Sequence, residues 1–307
     1  MKKQKKRKRE NKMNQLKLIS TSIMILSLLN LTGCASSRKS AWEQTDTTSS
    51  LTNTQKSQLL TEAKKLWNTR HVRADLENAL SKFKEIASAD PQNYEVLTYL
   101  TRGYYLLADG ILQDMPEKKA AWETSVSWGE KGMATNPEFK KAVVEEKKSV
   151  AEAVKLLKKE QIDSLYWSAA SLGKWAKNSG LVTTLQYKSQ IIKMIERVAE
   201  LQPDYFYGAV HRYWAVYYAV APGFAGGSME KSFDSFQKAY KVANNYLGTH
   251  VLFAENYAVR KSDKEAFTKE LNFVLNAKVN IIPELESEHI LEKAKAKKML
   301  SEIDQLF

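Results

Sequence analysis

Helical periodicity runs through this 307-residue chain from about residue 55 to its end, and prolines cut it at intervals. Leu59, Leu60, Ala63, Leu66 and Trp67 recur at helix spacing, and Leu76, Ala79, Leu80, Phe83, Ile86 and Ala87 do so in the next segment. No alternating run of β-branched residues occurs, and all six prolines fall at segment boundaries. A proline fits the first turn of a helix, where its missing N–H has no partner to lose, and it pushes the preceding residue out of helical geometry. The fold class this predicts is all-α.

The prolines also expose a repeated layout. In "ALSKFKEIASADPQNYEVLTYLTRGYYLLADG" one helix ends before Asp90-Pro91 and another begins near Tyr94. The same order recurs around Asn136-Pro137 and Gln202-Pro203, and a proline-free copy turns at Asn244-Asn245. This resembles the junction between adjacent tetratricopeptide (TPR) repeats. Spacings of 46 and 66 residues between Pro91, Pro137 and Pro203 depart from that repeat's regular period, so the expected architecture is a degenerate, interrupted array of TPR-like helical hairpins. The competing reading is an irregular helical bundle with chance proline turns.

The net charge of +12 is unevenly placed. Nine Lys/Arg and only Glu10 lie in the first 33 residues; removing them leaves 38 basic residues against 34 acidic, a mildly basic body that gives nucleic acid no footing as a partner. Those 33 residues read as a secretory signal: a basic stretch, then the apolar Leu18–Leu29, too short to span a bilayer comfortably, then Leu31-Thr32-Gly33-Cys34. The last four residues resemble a bacterial lipobox, which marks Cys34 for lipidation. Translation from Met1 or from Met13 yields the same mature chain. Cys34 is the only cysteine, so no intramolecular disulfide can form. Residues 34–54, rich in Ser, Thr and charge, read as a flexible tether, and residues 55–307 as the helical domain.

Chemistry is sparse. The histidines at 71, 211, 250 and 289 stand in different segments with no second ligand at metal spacing, although His211 is placed to line a cavity and His250 stands near a helix start. Nothing pairs the many carboxylates, and the chain reads as a non-enzyme with no cofactor and no metal. "PGFAGGSMEKS" lacks the strand and the spaced lysine of a phosphate loop and the second glycine of a nucleophile elbow. It reads as a turn: Pro222 and Gly223 end a helix at Val220, Gly226 and Gly227 permit positive φ, and Ser228 caps the next helix. The aromatics say more. Read as one helix, "DYFYGAVHRYWAVYYAV" puts Tyr207, His211, Trp214 and Tyr218 on one face and Phe206, Val210, Tyr213 and Tyr217 on another. One face can pack while the other lines a groove or meets a partner, against the plainer reading of ordinary core. In "IDSLYWSAASLGKWAKNSG", Tyr166, Trp167 and Trp175 surround Ala169, Ala170, Ser171 and Gly173, small residues that let helices approach closely.

The lipobox, the TPR-like array, "LYWSAASLGKWAKNSG" at 165–180 and "PGFAGGSMEKSFDSFQKA" at 222–239 together resemble the T-component family of tripartite ATP-independent (TRAP) transporters, often called TatT. The resemblance implies a lipoprotein facing the periplasm that associates with the substrate-binding P-component. It also implies a homo-oligomer, as trimers, with a cleft in each subunit for a ligand of hydrophobic character. Carried onto this chain by matching stretches, the cleft residues are Tyr166, Trp167, Trp175, Tyr207, His211, Trp214, Tyr218 and Phe224. Ala35 after Cys34, where inner-membrane retention usually shows Asp, points to the outer membrane. Ser232 stands where alanine is more usual in the repeat. The expectation is a lipid-anchored adaptor; the rival is a TPR lipoprotein that scaffolds assembly in the envelope.

Overall fold

The structure, a computed structural model, describes residues 38–42 and 50–307. The signal sequence, Cys34 and most of the stretch read as a tether lie outside the described residues. The described chain is all-α, with no strand. Its helices are α1 (Asn53–Trp67), α2 (Arg73–Ala89), α3 (Tyr94–Leu106), α4 (Met115–Met133), α5 (Pro137–Val144), α6 (Val150–Ala153), α7 (Ile162–Lys177), α8 (Leu181–Leu201), α9 (Tyr205–Val220), α10 (Met229–Ala243), α11 (Leu247–Phe253), α12 (Val259–Lys261), α13 (Lys264–Asn276), α14 (Glu286–Ser301) and α15 (Ile303–Leu306).

Local chemistry sets the ends of these helices. Thr52 and Gln55 form a capping box before α1; Asn93, Asp114, Asn136, Ser228 and Asp263 each accept a backbone N–H in the first turn that follows. Pro137 stands at the start of α5, where its missing donor costs nothing. Among helices consecutive in the chain, the most extensive contacts join α1 to α2, α3 to α4, α7 to α8 and α9 to α10, and α4 packs as extensively across the array on α7. The proline turns at 91, 137 and 203 fall between these pairs, and so they connect hairpins rather than forming them.

Three buried clusters follow the pairs. The first is built on α1–α4 with the C-terminal half of α7, the second on α5–α8 around Phe139, Leu165 and Met194, the third on α10–α14 around Phe236, Phe253 and Phe267. All six residues read as the apolar stripe of α2, from Leu76 to Ala87, are buried. Close approach of α4 and α7 depends on glycines: a Cβ on Gly129 would lie 2.6 Å from the Ser168 Cβ, and one on Gly132 would collide with Ser164. Gly173, expected to serve the same purpose, does not, because nothing lies within 4 Å of where its Cβ would be.

The array returns on itself. Arg70, in the turn after α1 and only 4% exposed, makes a two-pronged pair with Glu288 of α14, with Nε 3.0 Å from Oε1 and an Nη 2.5 Å from Oε2. The same guanidinium donates to the carbonyls of Trp67 and Glu284, and Ser287 Oγ donates to the carbonyl of Asn68. The last hairpin is thereby held against the first.

Residues 38–42, within the stretch read as flexible, are docked on the body. The Arg38 guanidinium pairs with Glu130 and lies 2.9 Å from Ser127 Oγ, Ala41 N–H donates to Glu130 at 2.8 Å, and the Trp42 ring meets Phe139 edge-on at 5.9 Å. Arg38 and Glu130 side chains are 3% and 2% exposed, so the carboxylate is paired where water cannot solvate it.

Candidate functional site

Closing the array brings α3, α7, α9, α11 and α14 together around a cluster of charged and aromatic side chains. Two π-turns contribute to it. α3 runs into one over Leu107–Ile111 and α11 into another over Ala254–Ala258, and each carries an acid, Asp109 and Glu255. A π-turn widens the helix by one residue and re-aims the side chains beyond it, a device common at functional sites. Asp109 Oδ1 lies 2.6 Å from Lys174 Nζ of α7, and Glu255 Oε2 lies 3.0 Å from Lys295 Nζ of α14.

These four side chains keep 24–42% of their surface, yet removal from bulk water is the largest single influence on Asp109, Glu255 and Lys295. Burial alone would raise Asp109, but Lys174 and Lys295 overcome it and hold the carboxyl at about 2. Glu255 is likewise lowered against its burial by Lys295 and Lys174. Glu292, one turn before Lys295 on α14, behaves in the opposite way: burial, opposed by Lys295 and reinforced by Asp109 and Glu255, pushes it up to about 7. A carboxyl with that affinity for its proton is half ionised near neutral pH.

One side of the cluster is aromatic and cationic. Arg102 of α3 places an Nη 2.5 Å from Glu288 Oε1 and lies over Phe206 at 4.8 Å and Trp167 at 5.6 Å. Trp167 meets Phe206 edge-on at 4.9 Å and Tyr105 at 5.1 Å. Tyr207 stacks on Tyr246 at 5.9 Å, and the Arg212 guanidinium lies 3.9 Å over the Tyr246 ring. Planar cations on ring faces are favourable and more so when desolvated. Burial raises Tyr105 and Tyr246, which keeps both phenols neutral donors.

The start of α9 is not the regular helix that its face pattern implied. Phe206 (φ 42°), Tyr207 (φ 58°) and Gly208 (φ 79°) are all left-handed. Two bulky aromatics in that region are strained, at about 1–3 kcal/mol each. Arg212, one turn on, holds the strain by donating to the carbonyls of Tyr207 and Phe206, and Gly208 brings the backbone against Val242 and Ala239 of α10. The reading of Tyr207 and Phe206 as members of two helical faces is therefore corrected, because the regular helix begins only at Ala209. Tyr207 instead turns its hydroxyl to Glu284.

The eight residues assigned to a cleft by resemblance are spread over several places. Tyr166 and Trp167 are buried at 8% and 6% exposure, packed edge-on at 5.0 Å in the aromatic wall, with Tyr207 beside them through Phe206. Trp175 is buried in the first cluster, edge-on to Tyr187 at 5.6 Å. His211, Trp214 and Tyr218 line a separate groove between α9 and α10 with Lys231, Asp234 and Lys238, about 220 Å³ in volume, below the usual size of a small-molecule site. Phe224 is 81% exposed at the tip of the α9–α10 turn. That turn runs as a single 3₁₀ turn from Gly223 to Ala225 to a left-handed Gly226 (φ 97°), and Ser228 caps α10. Gly227 is not left-handed; a Cβ there would collide with the Ala221 carbonyl.

Arg102, Asp109, Lys174, Arg212, Tyr246, Glu255, Glu288, Glu292 and Lys295 were missed in the sequence. A signal existed for some: Arg102, Asp109, Arg212 and Glu255 are charges embedded in otherwise apolar helical runs such as "YLTRGYYLLADG" and "FAENYAV". Among the described residues no cluster of His, Cys, Asp and Glu is arranged to hold a metal ion, and no helix is long and apolar enough to cross a membrane. His250 is buried one turn into α11, its ring nitrogens 2.5 Å from Glu270 Oε2 and 2.8 Å from the Asn244 carbonyl, a satisfied core histidine.

Comparison with known proteins gives two findings. A family model described as the TRAP transporter T-component matches residues 70–307, which includes both π-turns, the charged and aromatic cluster and the α9–α10 turn. An uncharacterized protein of Treponema pallidum (strain Nichols) is 25% identical over 117 residues, 38% of this chain. The chain spans 36% of the length of that relative.

Proposed function

The chain belongs to the TRAP transporter T-component family, and from that premise we propose that it is a lipid-anchored adaptor that holds the transporter's solute-binding P-component and takes a ligand at the charged and aromatic cluster. Membership associates the chain with a TRAP transporter system, and the family is a transporter component family rather than an enzyme family. The observation that carries the reading is the extent of the family match, 70–307, which covers nearly the whole helical body. The anchor is Cys34, the membrane the outer membrane with the domain facing the periplasm, and the assembly a homotrimer.

The cluster suits a ligand with an apolar body and a polar end. Tyr105, Trp167 and Tyr246 make its aromatic side, while half-exposed Lys174 and Lys295 carry donors and Glu292 a carboxyl poised to gain or lose a proton. The P-component meets the outer surface, where the groove at His211, Trp214 and Tyr218 has the dimensions of a protein side chain.

The test is crosslinking in the source membrane followed by identification of the captured proteins. A solute receptor is expected. Outer-membrane assembly factors in its place would sink the adaptor reading and favour an envelope scaffold. Native mass spectrometry of the purified complex is expected to show three copies and any retained small ligand. Cys34→Ser is expected to abolish labelling by palmitate, and labelling that persists refutes the lipobox.

A further inference from the structure

The docked segment 38–42 gives the anchored chain a direction. α4 and α7 are antiparallel: Gly132 faces Ser164, Gly129 faces Ser168, and Ser125 Oγ lies 2.6 Å from Ser171 Oγ. Continuing that register places Glu130 toward the start of α7 and Trp175 toward its end, about 12 Å away along the axis at 1.5 Å per residue. Tyr187 of α8 lies against Trp175, at that far level. Along the docked segment, Trp42 meets Phe139, Ala41 meets Glu130, and the Arg38 N–H lies 3.3 Å from the Tyr187 hydroxyl. Read backwards toward the N-terminus, the chain therefore climbs the body toward the turn that joins α7 to α8.

That end of the molecule is apolar. Leu181, Val182 and Leu185 open α8 at 60%, 55% and 47% exposure, and Phe224 is 81% exposed. They belong to one region. Leu181, Leu185 and Lys188 share a helical face, and Lys188 Nζ donates to the Ala225 carbonyl at 2.9 Å, which fixes the Phe224 turn beside α8. Lys177, exposed in the last turn of α7, stands at the same end. Soluble surfaces seldom gather large exposed side chains in this way without a use.

We propose that this end, Leu181, Val182, Leu185 and Phe224, lies against the bilayer that holds the lipid on Cys34, so that the body is fixed in orientation rather than free on a long leash. The inference rests on the anchor reading of Cys34. Three residues separate Cys34 from Arg38, and the four steps between them span at most about 14 Å when extended. Arg38 stands at the level of Tyr187, and Leu181 lies about 9 Å further along α8. The acyl chains are thus confined to the neighbourhood of the apolar end. Burial of Arg38 and Glu130 as a pair makes release of the segment costly, because freeing one partner leaves the other charged and unsolvated. Leucines, an aromatic tip and lysine at the rim are the side chains an interfacial surface uses.

The test uses the full chain, processed and acylated in a bacterial host and returned to vesicles of phosphatidylethanolamine and phosphatidylglycerol. With Cys34 acylated, a nitroxide label reacts only at an introduced cysteine: Leu185→Cys, Phe224→Cys, or Glu160→Cys just before the start of α7. The labels at 185 and 224 are expected to collide several-fold more often with oxygen than with a water-soluble nickel complex, relative to the label at 160. In Arg38→Ala/Glu130→Gln they are expected to return toward water while acylation persists; contact that survives this change removes the docked segment as the cause and overturns the inference. Labels at 185 and 224 in water on acylated protein also overturn it, as does label-to-label broadening without lipid contact, which would assign the patch to a second copy. Absence of acylation on Cys34, read by mass spectrometry of the same samples, overturns the anchor reading itself and this inference with it.

Discussion

Asp109, carried on the π-turn that follows α3, lies 2.6 Å from Lys174, and the pair joins that turn to α7. Its folded-state carboxyl is held at about 2, below its ordinary value of 3.8. A depressed carboxyl contributes stability above its unfolded pKa, and that contribution is lost as pH falls through the folded one. Asp109→Asn is therefore expected to lose about 1–2 kcal/mol at pH 7, discounted for the partial exposure of both side chains, and almost nothing near pH 2. Urea unfolding at the two pH values checks this, and an equal loss at both would contradict the charge argument.

Glu292 shows the opposite sign. Burial raises it to about 7 from 4.5, so between those values the folded chain binds a proton that the unfolded chain has released. Stability is then expected to decline as pH rises through that window. Glu292→Gln removes the titration: it should match wild type below about pH 4.5 and exceed it by about 1–2 kcal/mol above pH 7. The check is the difference between the two pH–stability curves. In carbon-13 spectra of labelled protein, the wild-type carboxyl should titrate near neutrality.

Helices and their junctions were legible in the sequence because their causes are local. A 3.6-residue period, an Asn-Pro or Asp-Pro pair and a Ser before a glutamate each act within a few residues, and α2 and the Ser228 cap follow directly from them. The closure of the array and the cluster it gathers were not legible. Arg70 and Arg102 meet Glu288 across sequence separations of 218 and 186 residues, and nothing short-range announces that the array closes. The face pattern drawn for Tyr207 and Phe206 fails for the same reason: a left-handed turn there depends on the Arg212 fork and on α10 behind Gly208. Closest to a local signal were the charges in apolar helices, since a charge kept in such a run needs a partner elsewhere. The residues 38–42 were read as solvated because one Ala and one Trp are too little to bury, and the buried Arg38–Glu130 pair supplies what they lack.

Arg212 is expected to control the left-handed turn. Its planar fork donates to two successive carbonyls at once, which a lysine cannot reproduce. Arg212→Lys should lose about 2 kcal/mol, and the loss should be local: amide exchange at Phe206, Tyr207 and Gly208 accelerates while α2 and α13 keep their protection. Uniform acceleration across the chain would show that the arginine supports the whole fold instead.

The glycines of α4 and α7 have opposite expectations. Gly132 and Gly129 lie where α4 touches α7, against Ser164 and Ser168, whose buried hydroxyls have no hydrogen-bond partner among the described residues and so serve by their small size. Adding a methyl group must push two packed helices apart, and Gly132→Ala is expected to cost about 1–3 kcal/mol. Gly173 faces open space, so Gly173→Ala adds no contact and removes the backbone freedom of glycine in a helix interior, a gain of about 0.5–1 kcal/mol. A second change separates sterics from propensity: Ser164→Gly makes room for the new methyl and should recover part of the loss in Gly132→Ala while doing nothing for Gly173→Ala. Thermal unfolding of the five proteins, wild type included, decides it. Gly132→Ala as stable as wild type would mean that α4 and α7 do not approach as closely as their glycines imply.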